Sequence, residues 1–267
     1  MKKLLIILAV WLTATSAPAA FDHRHSLFDG LLHKHVAWNA AGVASRVSYA
    51  GFRQDQELFD AYLRQLSTVS RSEFESWSKP VRLAFLLNAY NAFTIKLILD
   101  ADPQLTSIKE LGSLFSSPWS RKFFTLLGEK RSLDNIEHDM IRKPGAYSEP
   151  RVHFALVCAS IGCPALRDEA FVPARLDHQL EDSLRRFLQD KSRNRYNSQT
   201  KALEVSQIFN WYGDDFNGFR GYASVSDFLR AYAQLLADSP EAAGELGRSK
   251  PPLRFLDYDW NLNRREG

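Results

Sequence analysis

The chain has 267 residues, 45% of them hydrophobic and 12% aromatic, which is enough to build a substantial core and too much for a disordered chain. Lys and Arg number 34 against 31 Asp and Glu. A balance this close to neutral speaks against a dedicated nucleic-acid or anionic-membrane binder, which would carry a clustered basic excess.

The first predicted element is a leader. Lys2 and Lys3 precede the apolar run 4–12, and small residues follow, ending Ala17-Pro18-Ala19-Ala20. A positive start, a short apolar stretch and an A-x-A cleavage site form the pattern of a secretory signal peptide. The run is too short to span a bilayer. The leader at 1–20 holds two of the lysines, leaving 32 basic against 31 acidic residues in 21–267. The expectation is an exported, periplasmic or secreted protein of bacterial style, with no integral membrane segment after cleavage and a single domain over 21–267.

Apolar residues at 27, 28, 31, 32 and 36 predict a helix from Leu27 to Trp38. His23, His25, His33 and His35 accompany it. Histidines two apart on a helix do not share a face, so a solvated surface is expected here and not a metal site. Val47–Phe52 reads as a short strand and turn. Asp55–Val69 reads as a helix with Leu58, Tyr62 and Leu66 on one stripe. Ser72-Glu-Phe-Glu75 has the form of a capping start. Pro80 suits a helix start, and Val81–Leu99 is apolar on most sides, which predicts a buried helix. Asn88 and Asn91, three apart on it, share a face. Buried amides must be hydrogen-bonded, so this pair either satisfies nearby backbone groups or lines a pocket.

A short helix and a serine-rich loop are expected in Asp102–Pro118. A strand at Lys122–Leu127 with a turn at Gly128-Glu129 comes next, then a helix from Ser132 to about Arg142 with Ser132 as N-cap. Val152–Val157 reads as an uninterrupted apolar strand. Leu176–Asp190 is an amphipathic helix, Tyr196 to Val205 a hairpin, and Ser224–Leu236 a late helix. Leu253–Asn263 is an extended aromatic tail. Strands and helices do not alternate regularly, which points to the α+β class: a helix-rich domain with a small, mainly antiparallel sheet.

The chemistry concentrates in Arg151-Val-His-Phe-Ala-Leu-Val-Cys-Ala-Ser-Ile-Gly-Cys-Pro164, which holds both cysteines, Cys158 and Cys163. Two readings stay open. In one, the pair is a structural disulfide closing a small loop, worth roughly 2 kcal/mol by chain entropy, in a binding or scaffold domain. In the other, Cys158 is a nucleophile. A thiol titrates near pH 8.5, so it then needs a basic partner. His153 and His138 are the histidines nearest in sequence, with His153 preferred. Glu137 adjoins His138 but diverges from it on a helix, so it would orient His153 from another element. Ser160 and backbone N–H groups after Cys158 are candidate oxyanion donors. No metal or nucleotide motif is present, so no cofactor is expected. The substrate or protein partner is not legible.

Four separated stretches together resemble the DUF547 family: Phe85-Leu-Leu-Asn-Ala-Tyr-Asn-Ala92, Ser132-Leu-Asp-Asn-Ile-Glu-His138, Arg151-Val-His-Phe-Ala-Leu-Val-Cys158 with Cys163-Pro164, and Leu256-Asp-Tyr-Asp-Trp-Asn-Leu262. They span roughly residues 47–262. The resemblance implies a cysteine-hydrolase-like fold with a Glu, His and Cys proposed as a triad: Glu137, His153 or His138, and Cys158. The implied chemistry is hydrolysis or acyl transfer at an amide or thioester.

Overall fold

The structure is a computed structural model that describes residues 20–113 and 116–265. The leader expected at 1–20 lies outside these residues, apart from Ala20. The N-terminal half is helical: α1 (Ser26–His35), α2 (Tyr49–Gln54), α3 (Gln56–Thr68), α4 (Arg71–Ser76) and α5 (Lys79–Leu99). A two-stranded antiparallel ribbon, β1 (Val36–Trp38) with β2 (Ser45–Val47), lies between α1 and α2. A second ribbon pairs β3 (Phe124–Leu126) with β4 (Glu129–Arg131). The C-terminal half has α6 (Leu176–Gln189), β5 (Arg195–Asn197), β6 (Ala202–Val205), α7 (Ile208–Trp211), α8 (Val225–Ala231), α9 (Ala233–Leu236), α10 (Pro240–Arg248) and β7 (Leu253–Phe255). In its three-stranded sheet β5 runs antiparallel to β6, and β7 parallel to it. The helix-rich α+β expectation holds. The strands among the described residues form three small sheets, however, where one was expected.

The expected helix at 81–99 is α5, with Pro80 in its first turn. It is long and apolar enough to cross a membrane, but its side chains are buried inside the protein, as those of a core helix are. Three local expectations change. Val47–Phe52 gives only the end of β2 before α2 begins, because Ser48 accepts from the Gly51 N–H and starts a helix. The buried stripe of α3 is Phe59, Tyr62, Leu63 and Leu66, while Leu58 faces solvent at 51% exposure. His25 and His35 are not solvated. His25 Nδ1 lies 2.7 Å from the Tyr62 hydroxyl, and burial pushes the ring down to about 3. His35 bonds the Asp55 carboxylate at 2.6 Å.

Two hydrophobic clusters divide the molecule. The larger gathers α1–α5, the β3–β4 ribbon and residues 152–180; the smaller gathers Phe154 with the C-terminal elements. Helix α6 spans both, with Leu176 and Leu180 in the first and Leu184, Phe187 and Leu188 in the second. The segment 150–164 runs along the seam between them.

Candidate functional site

The segment expected to be a strand at 152–157 is instead a 3-10 turn, Pro150–Phe154, followed by irregular chain. Its side chains are all buried, which produced the apolar run, but no strand among the described residues pairs with its backbone. Asn91 takes that role: its amide donates to the Ala155 carbonyl at 2.9 Å and accepts from the Val157 N–H at 3.0 Å. Asn88 clamps Phe171 in the same way, with both bonds to that residue's backbone. The two amides therefore satisfy backbone groups and do not line the cavity described below; Asn91 fixes the backbone that leads into Cys158.

Ala159 follows with φ +62°, a left-handed conformation that costs a residue with a Cβ roughly 1 kcal/mol or more. The C-terminal tail holds it there. Asn263 N–H donates to the Ala159 carbonyl, Ile161 N–H to Asn261 and Gly162 N–H to Asp259. A Cβ on Gly162 would stand 3.0 Å from both the N and the O of Asp259, so glycine is what permits this approach. The tail in turn brings Tyr258 onto the thiol.

Cys158 Sγ lies 3.0 Å from the Ser160 hydroxyl and 3.2 Å from the Tyr258 hydroxyl. Burial alone would raise this thiol. Hydrogen bonds from Cys163, Ser160 and Tyr258 outweigh it and lower the group to about 7. Ser160 contributes both its hydroxyl and its backbone to the sulfur, so it stabilises the thiolate. Cys163 moves the other way: burial, then the neighbouring Cys158, hold it protonated well above the usual range. Burial likewise raises Tyr258, leaving it a neutral donor. Both cysteines are free thiols. Cys163 Sγ also accepts the Cys158 N–H at 2.9 Å, and the two sulfurs are not joined by the covalent bond of the disulfide reading.

Cys158, His153, Glu137 and His138 all line one cavity of about 310 Å³ at the seam between the two cores. His153 is 4% exposed and stacks on Tyr212, ring centres 4.0 Å apart. Its Nε2 meets Asp215 Oδ2 at 2.7 Å. A carboxylate only accepts, so Nε2 carries the proton and Nδ1 is left for other work. The acid that orients His153 is thus Asp215, where Glu137 was expected. Burial raises the Asp215 carboxyl, but bonds from His153 and Arg142 prevail and hold it below the usual range. Arg142 grips Asp215 with two nitrogens, at 2.7 and 3.0 Å. A third nitrogen of Arg142 donates to His138 Nδ1 at 2.8 Å, which ties up the reserve base.

Glu137 sits in a π-helical turn, Asn135–Ile141, that Ser132 opens by accepting from the Asn135 N–H. Turns of this kind are rare and frequent at functional sites. Its buried carboxylate accepts from the Tyr90 hydroxyl at 3.2 Å and also bonds Tyr212. The wide turn sets Glu137 against the tyrosines and His138 against Arg142. No histidine among the described residues hydrogen-bonds Cys158. Sequence reasoning missed Asp215 and Tyr258. The adjacent acids of Gly213-Asp-Asp-Phe216 and the aromatic tail were visible, but nothing local ties either to Cys158.

The family model described as "Protein of unknown function, DUF547" matches residues 74–188. This stretch belongs to the DUF547 family. It carries α5, the π-helical turn, His153 and both cysteines, while Asp215 and Tyr258 come from beyond the DUF547 match. No curated protein and no solved structure matches the chain.

Proposed function

We propose that this DUF547 protein is a cysteine-dependent acyl hydrolase or acyltransferase acting outside the cytoplasm, with Cys158 as nucleophile and His153 as proton carrier. The observation that carries the reading is a thiol lowered to about 7 in a cavity shared with a carboxylate-bound histidine. The leader pattern supports export.

Cys158 gives its proton to His153 Nδ1, and Ser160, Tyr258 and Cys163 hold the resulting thiolate. The thiolate attacks the carbonyl carbon of an ester, thioester or amide, and the tetrahedral intermediate collapses to a thioester on Cys158. The leaving group takes its proton from His153 Nδ1–H. Water, or an acceptor amine or alcohol, then attacks the thioester while the same nitrogen takes its proton and Cys158 leaves as thiolate. Asp215 accepts from Nε2–H throughout, fixing the ring and stabilising its charged form.

The test is acylation by p-nitrophenyl acetate followed by intact mass. One acetyl group on Cys158, released slowly with return of the thiol, supports the reading. Cys158→Ala is expected to abolish acylation and Cys163→Ser to retain it, because a serine hydroxyl can still accept the residue 158 N–H. No acetyl on Cys158, or equal acylation of Cys158→Ala, would sink the reading.

A further inference from the structure

The cavity around Cys158 has an uneven charge. Glu137 is 6% exposed, lines the cavity and bonds only neutral tyrosine hydroxyls. No lysine or arginine among the described residues forms an ion pair with it. Arg142, which feels its charge, is committed to Asp215 and His138. Asp134 lines the same cavity, and its ion-pair partner among the described residues is the half-exposed His138 at 3.9 Å. The thiolate of Cys158 adds a third negative charge; among the described residues the cations at the wall are Lys109, 4.9 Å from the Trp260 ring, and His153 and His138 when protonated. Buried carboxylates are ordinarily paired, and this one has a cavity in front of it in place of a cation.

The rest of the wall suits a cation as well. Trp211 and Trp260 stack at 5.7 Å, and Tyr258 lies 4.5 Å from Trp260 and 4.9 Å from Trp211. Trp211 is 46% exposed, unusual for so large an apolar side chain, and it lines the cavity. Aromatic faces attract ammonium and guanidinium groups, more strongly where water is excluded.

Resting on the nucleophile reading above, we propose that the acyl substrate of this site is cationic: it carries an ammonium or guanidinium group that passes the Trp211–Trp260 wall and is neutralised by Glu137 while its carbonyl meets Cys158. A cavity of about 310 Å³ suits one basic side chain or a small amine-bearing acyl compound.

Three small alkylating reagents test this on the full chain without knowledge of the substrate. Cationic 2-bromoethylamine, neutral iodoacetamide and anionic iodoacetate each form a thioether at Cys158. Each rate is divided by the rate with N-acetylcysteine thiolate in the same buffer, which removes intrinsic reactivity. The expected result is an enrichment of the cationic over the anionic reagent of about tenfold or more at low ionic strength. Each variant is normalised to its own iodoacetamide rate. Glu137→Gln should then lose most of the enrichment, and Trp211→Ala, at a position 46% exposed, should lose part of it. Equal normalised rates for the two charges in the wild type, or an enrichment that survives both substitutions, overturns the proposal. Resistance of Cys158 to all three reagents overturns the nucleophile reading itself, a different outcome from loss of charge preference alone.

Discussion

Chemistry at Cys158 depends on which hydrogen bonds reach one sulfur. Burial opposes thiolate, and Cys163, Ser160 and Tyr258 reverse that opposition. Removing one donor should shift the balance back. Tyr258→Phe is expected to raise the midpoint of the alkylation rate against pH by about one unit, a 1.4 kcal/mol change in the balance between thiol and thiolate. An unmoved midpoint would show that the hydroxyl contributes nothing. Asp215→Asn acts on the histidine and should leave that midpoint in place while slowing release of the acetyl group by about 10²–10⁴. The same carboxylate has a pH signature. Its group is held below the ordinary aspartate range, so its contribution to stability is present above about pH 4 and fades as pH falls further. The gap in melting temperature between wild type and Asp215→Asn should therefore close on acidification through that range. The thiol itself was legible in the sequence, as a cysteine before a chain reversal. Its partners were not. Asp215 stands 62 residues from His153, and Tyr258 stands 100 residues from Cys158, distances at which no local pattern operates.

At the level of elements, the site is irregular chain clamped from both sides. Helix α5 supplies Asn91 and the tail supplies backbone hydrogen bonds at 259, 261 and 263. Asn91→Ala leaves the Ala155 carbonyl and the Val157 N–H buried without partners, a loss of about 2–4 kcal/mol by denaturant melts. Asn88→Ala should cost a similar amount through Phe171, but only the Asn91 change should slow Cys158 alkylation in the folded protein. Equal effects on alkylation would mean that Asn91 does not position the thiol. Gly162→Ala drives a methyl group into the Asp259 backbone and should destabilise by about 1–3 kcal/mol while raising the Cys158 midpoint, because Tyr258 moves with the tail. Regular helices such as α5 and α6 were readable from apolar spacing, which packing reinforces. The stretch 152–157 was misread because full burial writes the same apolar run for a central strand and for a core-crossing loop. The distinction lies in who pairs with the backbone, and here that is an asparagine from a helix already read as buried.

On the scale of the whole molecule, two cores meet along the segment that carries His153 and Cys158, and α6 belongs to both. The residues that would act together come from both sides of that seam: Glu137 and Cys158 from the DUF547 stretch, Asp215 and Tyr258 from the C-terminal elements. This division explains why the α+β class was readable from composition and element order while the site was only half visible. A site assembled across a seam requires both cores to be intact. The most direct measurement is the rate of iodoacetamide labelling of the unreduced protein across pH, with the modified cysteine located by mass. We expect labelling at Cys158 alone, with a midpoint near 7 and Cys163 untouched. A midpoint near that of a free thiol, or no labelling until reductant is added, would contradict the account.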